Sequence, residues 1–266
     1  MKPVRVALVI QKSVPGNSRV NLETCLELAG MAARRGAEIV LFPELNLTGY
    51  SLGKQLISTA TTIPGALTKA LIDASIENKI TLLAGMAEKD NAGHLFSTHV
   101  AAMADGTLGV YRKLHIPPPE KKVFTPGTTI TTFQTDTVNF GIQVCYDAHF
   151  PELSTRMALK GAEVLFFPHA SPRGTPQGKL DSWLRHLTAR AFDNSVFVLA
   201  CNQVGNHGNH RSFPGVAVAI GPDGNIISHL LADRDELLIV DLDSALLEQI
   251  KGHRMRYFLP NRREDL

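Results

Sequence analysis

The segment FGIQVCYDAHFPE, residues 140–152, places Cys145 where an apolar, β-rich run gives way to Pro151 and Glu152, which open a helix. A residue at the C-terminal end of a strand, just ahead of a helix, faces the crevice where α/β proteins hold ligands. A thiol there can attack an electrophilic carbon while neighbouring backbone N–H groups hold the resulting oxyanion. A thiol with an ordinary pKa of about 8.5 needs a base or a cation beside it to react at neutral pH. Two other strand ends offer these. Glu44 follows the apolar run of GAEIVLFPE, and Lys113 lies in GVYRKLHIPPPE. Singly, these read as a buried thiol and two solvated charges. Together they are an acid/base group, a cation and a nucleophile, each just beyond a strand. Cys25 falls inside a helical pattern and Cys201 ends a hydrophobic strand with no acidic neighbour, so both read as structural.

The elements that must carry these groups follow from periodicity. Val4–Ile10 is predicted as a strand and Leu22–Arg34 as a helix stopped by Gly36, with a short buried strand at Ile39–Phe42 ended by Pro43. The same grammar returns in the second half: a helix from Pro151 to about Lys160, Gly161, then a strand Val164–Phe167 ending at a proline. GAEIVLFPE (36–44) is answered by GAEVLFFPH (161–169), nearly half the chain later. That spacing is too long for a solenoid and fits two related halves of one domain. His169 thus occupies the place in the second copy that Glu44 has in the first. Further strands are expected at Ile80–Met86, Thr128–Phe133, Val138–Val144, Ser195–Ala200 and Leu237–Val240. Hairpins are expected at His99–Tyr111 and Val216–Leu230, and a helix at Leu180–Asn194. The reading is a single α/β domain over residues 1–266, with the tail from about 252 docking on a dimer partner.

Composition narrows the classes. The chain has 266 residues, 44% of them hydrophobic, with 27 Lys and Arg against 25 Asp and Glu. The near-zero net charge and the lack of a basic run make nucleic acid an unexpected partner; the arginines of RMRYFLPNRREDL read as a solvated or docking tail. Three cysteines without CxxC spacing make neither a disulfide framework nor a thiolate metal site. MKPVRVALVIQ lacks a signal peptide's apolar length and cleavage site, and no apolar run is long enough for a bilayer. The expectation is a cytoplasmic protein with free thiols, bound to neither nucleic acid nor membrane.

FPELNLTGY, YRKLHIPPPEKKVFTPG and GIQVCYDAHFPE resemble, in order, the three signature segments of the nitrilase (carbon–nitrogen hydrolase) superfamily, and the closing FPGVAVAIGPDG extends the likeness over nearly the whole chain. The resemblance implies a four-layer α-β-β-α sandwich of two mixed sheets with an internal pseudo-two-fold. It implies a Glu44–Lys113–Cys145 triad, with Glu120 as a second, supporting glutamate and the Tyr146 backbone N–H at the oxyanion. It further implies hydrolysis of a small amide or N-carbamoyl compound through a Cys thioester, with release of ammonia and no metal or organic cofactor, in a homodimer or larger even assembly joined by its helical faces. Tyr146-Asp147 after the cysteine is similar to the amide-hydrolysing branches; nitrile-acting members tend to carry Trp-Glu. The segment is also similar to the CYDxRFPE form of ω-amidase-like members, except that His149 stands where that form has arginine.

His149, His169 and Arg173 of HASPRGTPQG are the candidates for contacting substrate, Arg173 as a handle for an anionic group. Trp183 is expected in core packing. Nitrile hydrolysis and acyl transfer remain open on the same triad. Two other classes are carried: a metal-dependent phosphoesterase of αββα fold using His207 and His210 of NQVGNHGNHRSF, and a non-catalytic sandwich protein.

Overall fold

The computed structural model describes residues 1–206 and 212–263. Strands and helices are numbered in chain order. One six-stranded sheet runs, in spatial order, β14 (Glu236–Leu242), β1 (Val4–Ile10), β2 (Ile39–Leu41), β3 (Thr81–Lys89), β4 (Leu95–Ala102) and β5 (Leu108–Arg112). The other runs β13 (Ile226–Ala232), β12 (Gly215–Ile220), β9 (Phe197–Asn202), β8 (Val164–His169), β7 (Asn139–Ile142) and β6 (Thr132–Gln134). A two-residue ribbon pairs β10 (Gly205–Asn206) with β11 (Ser212–Phe213).

The sheets share one plan. The three neighbours β1, β2 and β3 are parallel, as are β7, β8 and β9. Each parallel trio is followed by two antiparallel strands, β4–β5 or β12–β13, and flanked by one more, β14 or β6. The crossovers match too. Helix α1 (Ser18–Arg34) joins β1 to β2 as α4 (Pro151–Leu159) joins β7 to β8. Two shorter helices, α2 (Lys54–Thr59) and α3 (Ala66–Asn78), lie between β2 and β3, where α5 (Pro176–Asn194) lies between β8 and β9.

Side-chain alternation decides the layering. In β1, Val6, Leu8 and Ile10 join a cluster in which Ile39, Leu41, Phe140, Phe166 and Ala217 fill the space between the sheets. Ala7 and Val9 face the other way, into a cluster with Cys25, Leu28, Ala29 and Leu71 of α1 and α3. Residues buried on both faces explain why these strands read as continuous apolar runs. Over the second sheet, α4 and α5 contribute Leu153, Met157, Leu180, Leu187 and Ala191. At the surface, Leu159 of α4 and Phe192 of α5 stay exposed, and Phe258 of the tail lies 5.5 Å from Phe192 of the same chain.

The chain departs from the sequence expectation in places. Helices α2, α3 and α6 (Ser244–Lys251) have no counterpart in it. Two of the three buried positions of α3 are Thr68 and Ser75, which an apolar-periodicity count scores as polar. The second-copy proline does not end its strand, since Pro168 pairs with Cys201 and His169 with Asn202. Proline removes one donor without preventing extended pairing. β7 stops at Ile142, so Cys145 sits in a 3₁₀ turn, Cys145–His149, rather than on the strand. No described helix is long and apolar enough to cross a membrane.

Candidate active site

Glu44 lies just past β2, 1% exposed. Its Oε1 accepts from Lys113 Nζ at 2.8 Å and from Ser97 Oγ at 3.2 Å, and its Oε2 accepts from the Ala170 N–H at 3.0 Å. Its own carbonyl accepts from Gln203 Nε2 at 2.7 Å. Ala170 directly follows His169, so the end of the second repeat closes onto the glutamate of the first.

Lys113 follows β5 and is fully buried. Besides Glu44 it donates to Glu120 Oε2 at 2.8 Å, and Glu120 Oε1 accepts from Tyr50 Oη at 2.9 Å. Burial alone would drag the lysine pKa down. Glu44, the Cys145 sulfur and Glu120 more than offset that, holding the ammonium well above the ordinary lysine value. Glu120, in the 3₁₀ turn Pro118–Glu120, is pushed up by burial and by the Glu44 charge, against the opposing pull of Lys113 and Tyr50.

Cys145 is partly exposed and opens the 3₁₀ turn with φ of 48°, a left-handed conformation uncommon for a residue with a Cβ. Asp147, fully buried, ties this turn down. Its Oδ2 accepts from the Val144 N–H at 3.0 Å and Tyr111 Oη at 2.9 Å, and its Oδ1 from the His115 N–H at 2.8 Å. The His115 ring Nδ1 lies 2.8 Å from the same Oδ1. The cysteine turn is thereby fastened to β5 and to the segment that carries Lys113. Burial, then Glu44, raises the Cys145 pKa well above that of a free thiol, while Lys113 opposes. The Ala170 N–H that serves Glu44 also opposes the rise of the Cys145 pKa.

The sulfur opens onto a cavity of about 570 Å³, whose lining includes Glu120, Tyr146, His149, His169, Arg173 and Lys179. His169 is 3% exposed, and its ring stacks on Trp183 with centroids 4.2 Å apart. Burial and then His186 hold it neutral, well below the ordinary histidine pKa. His149 is exposed, with its ring 4.7 Å from that of His186. Arg173 is exposed at the rim, with φ of 74°. Trp183 is buried and also lines the cavity, a double role that core packing alone does not describe.

Residues missed from sequence are Tyr50, Ser97, Asp147, Lys179, His186 and the Ala170 N–H. Lys179, Trp183 and His186 stand at helical spacing on α5, so one face of that helix signals a cavity wall. Nothing local marks Ser97 or Ala170, because Ser97 meets Glu44 from two strands away in the same sheet and Ala170 meets it from the other sheet. His207 and His210 lie outside the described residues; among those described, no three His, Cys, Asp or Glu side chains gather as a metal-ligand set.

Comparison with known proteins places this geometry in context. The carbon–nitrogen hydrolase family profile matches residues 5–252. The chain is 30% identical to an (R)-stereoselective amidase of Pseudomonas sp. over 98% of its own length and 92% of the relative's. It is 32% identical to an N-carbamoylputrescine amidase of Solanum lycopersicum, covering 88% of this chain and 83% of that one. Among solved structures, a carbon–nitrogen hydrolase from Helicobacter pylori superposes with a TM-score of 0.89 at 26% identity, over 99% of this chain and 96% of that one. A cysteine-to-alanine mutant of the amidase from Nesterenkonia sp., in complex with butyramide, gives a TM-score of 0.81 at 26% identity, over 92% of this chain and 93% of that one.

Proposed function

The chain belongs to the carbon–nitrogen hydrolase family, acting on C–N bonds other than peptide bonds, and on that footing we propose that it hydrolyses a small amide or N-carbamoyl compound through a thioester on Cys145, releasing ammonia. The observation that carries this reading is one buried ammonium, Lys113, held at 2.8 Å from both Glu44 and Glu120 beside a cysteine that opens on a cavity.

The raised Cys145 pKa means that the resting sulfur carries its proton, so attack requires a base in the same step. Glu44 takes that proton as the sulfur bonds to the substrate carbon. Lys113, kept charged by its two carboxylates, faces the oxygen on which negative charge develops, together with the Tyr146 backbone N–H. Collapse of the tetrahedral species breaks the C–N bond, and Glu44 returns the proton to the leaving ammonia. Water, deprotonated by Glu44, then opens the thioester, giving the acid and the free thiol. Glu120, anchored by Tyr50, keeps Lys113 placed and protonated throughout. The relatives named as amidases, and a neighbouring amidase structure in complex with butyramide, support an amide substrate.

The test is an ammonia-release screen over aliphatic amides, ω-amides, N-carbamoyl compounds and nitriles, with and without EDTA. Turnover of amide or carbamoyl substrates, indifferent to EDTA, is expected. Cys145→Ala is expected to lower it at least about a thousandfold while the circular dichroism spectrum is kept. Full activity in that variant would end the proposal; ammonia from nitriles alone would replace its substrate class.

A further inference from the structure

From the lining of the cavity onto which Cys145 opens we infer that this enzyme selects substrates bearing a carboxylate, and that Lys179 with Arg173 is the site that binds it. The inference rests on the proposed amide hydrolysis and adds the substrate's charge to it.

Three observations converge. The first is the charge balance of the lining. Among the described residues, the cavity presents two cationic side chains, Lys179 and Arg173, and one acid, Glu120. Both oxygens of that acid are engaged, one by Lys113 and the other by Tyr50. The lining therefore offers cations with no competing free carboxylate.

The second is the state of Lys179 itself. It is half-buried on the first turn of α5, and its ammonium donates to Ser171 Oγ at 2.8 Å and to the Pro172 carbonyl at 3.2 Å, both neutral acceptors. An ammonium has three N–H donors, so one is left over. A desolvated cation without an anionic partner is unfavourable, and an incoming carboxylate relieves that cost. The lysine's lowered pKa, set first by burial, reflects the same strain.

The third is the unpartnered polarity around it. His169 Nε2 and His186 Nε2 are buried and have no hydrogen-bond partner in the protein. Both residues line the same cavity. The Lys179 and Arg173 donors and two unpartnered imidazole nitrogens form a polar lining that a carboxylate engages through the two cations and an alkyl chain leaves unsatisfied.

The experiment compares kcat/KM for matched small amides with and without a terminal carboxylate: succinamate against butyramide, and N-carbamoyl-β-alanine against N-propylurea. The first pair puts the carboxylate on the acyl side, the second on the amine side. At least one pair is expected to favour the anionic member tenfold or more. Lys179→Gln is expected to lower that preference at least tenfold, mainly through KM, and Lys179→Arg to keep most of it. In Cys145→Ala protein, calorimetry with the favoured anionic amide is expected to show binding that Lys179→Gln weakens to the same degree. A wild-type enzyme that prefers the neutral members overturns the inference and leaves the amidase proposal standing. An equal loss on anionic and neutral substrates in Lys179→Gln also overturns it, because Lys179 would then serve the thiol. If no amide is turned over, the functional proposal fails, and binding of succinamate to the Cys145→Ala protein still decides the role of Lys179.

Discussion

At the level of single side chains, the site is an arrangement of charge that burial makes expensive to disturb. Lys113 is enclosed with two carboxylates, giving a local excess of one negative charge in a place that water barely reaches. Removing the ammonium leaves Glu44 and Glu120 facing each other without their shared cation. Lys113→Met is therefore expected to abolish turnover and to destabilise the fold by about 3–5 kcal/mol, the usual cost of breaking a buried ion pair from one side; chemical denaturation measures it. A loss under about 1 kcal/mol would mean that the pair is better solvated than its burial indicates. Asp147 shows how much a residue can matter without touching substrate. It accepts from a strand tyrosine, two backbone N–H groups and a histidine ring, and the left-handed Cys145 sits inside the turn it secures.

At the level of elements, the repeated GAE motif repeats its chemistry as well as its letters. Gly36 and Gly161 have φ of 80° and 92°, and each ends its helix with the same pair of bonds: Gly36 to Ala33 and Ala37 to Ala32, Gly161 to Ala158 and Ala162 to Met157. This is the glycine-terminated Schellman end, which needs the left-handed backbone. Glu38 and Glu163 then each accept from the N–H of the neighbouring strand, Arg5 or Asn139, both at 3.3 Å. The copies diverge at the last motif position, where one presents the Glu44 carboxylate past its strand and the other a neutral imidazole at the end of β8, followed by the Ala170 N–H. A second constraint lies in β3. A Cβ added at Gly85 would stand 2.4 Å from the Leu45 amide nitrogen and 2.9 Å from His99 Nδ1, so the strand needs glycine to let the Glu44 segment approach. Gly85→Ala is expected to lower stability by about 1–3 kcal/mol and to reduce kcat by displacing Glu44. Thermal melting and steady-state kinetics check both; unchanged values in both would refute the close approach.

At the level of the whole molecule, buried imidazoles set the acid limit. Burial lowers His99 to about 3 and His169 well below its ordinary value. The unfolded chain binds protons at these residues near pH 6.5 while the folded chain does not. Stability is therefore full above about pH 6.5 and falls on acidification toward pH 4, by up to about 1.4 kcal/mol per pH unit for each histidine. Glu120, raised in the fold, acts with the opposite sign over part of that range, but the histidines outnumber it. Urea denaturation between pH 4 and 7 is expected to show this slope, and His99→Leu to flatten it. A pH-independent stability would show that these rings take up protons in the fold.

The sequence by itself determined the α/β architecture, the repeat and the nomination of Glu44, Lys113 and Cys145, while Glu120 followed from the resemblance of its segment to the family's. Alternation, glycine stops and residues just beyond strands are local signals, written within a few positions of one another. Tertiary structure alone decided that the Ala170 N–H serves Glu44, that Tyr50 holds Glu120, that Asp147 secures the cysteine turn, and that Lys179 and Trp183 wall the cavity. It also made Thr68 and Ser75 the inward face of α3. Most of these contacts join residues far apart along the chain, and the Ala170 bond to Glu44 crosses between the two sheets. A hydroxyl or an amide carries no mark of burial in its own neighbourhood, so its partner exists only once the layers have packed.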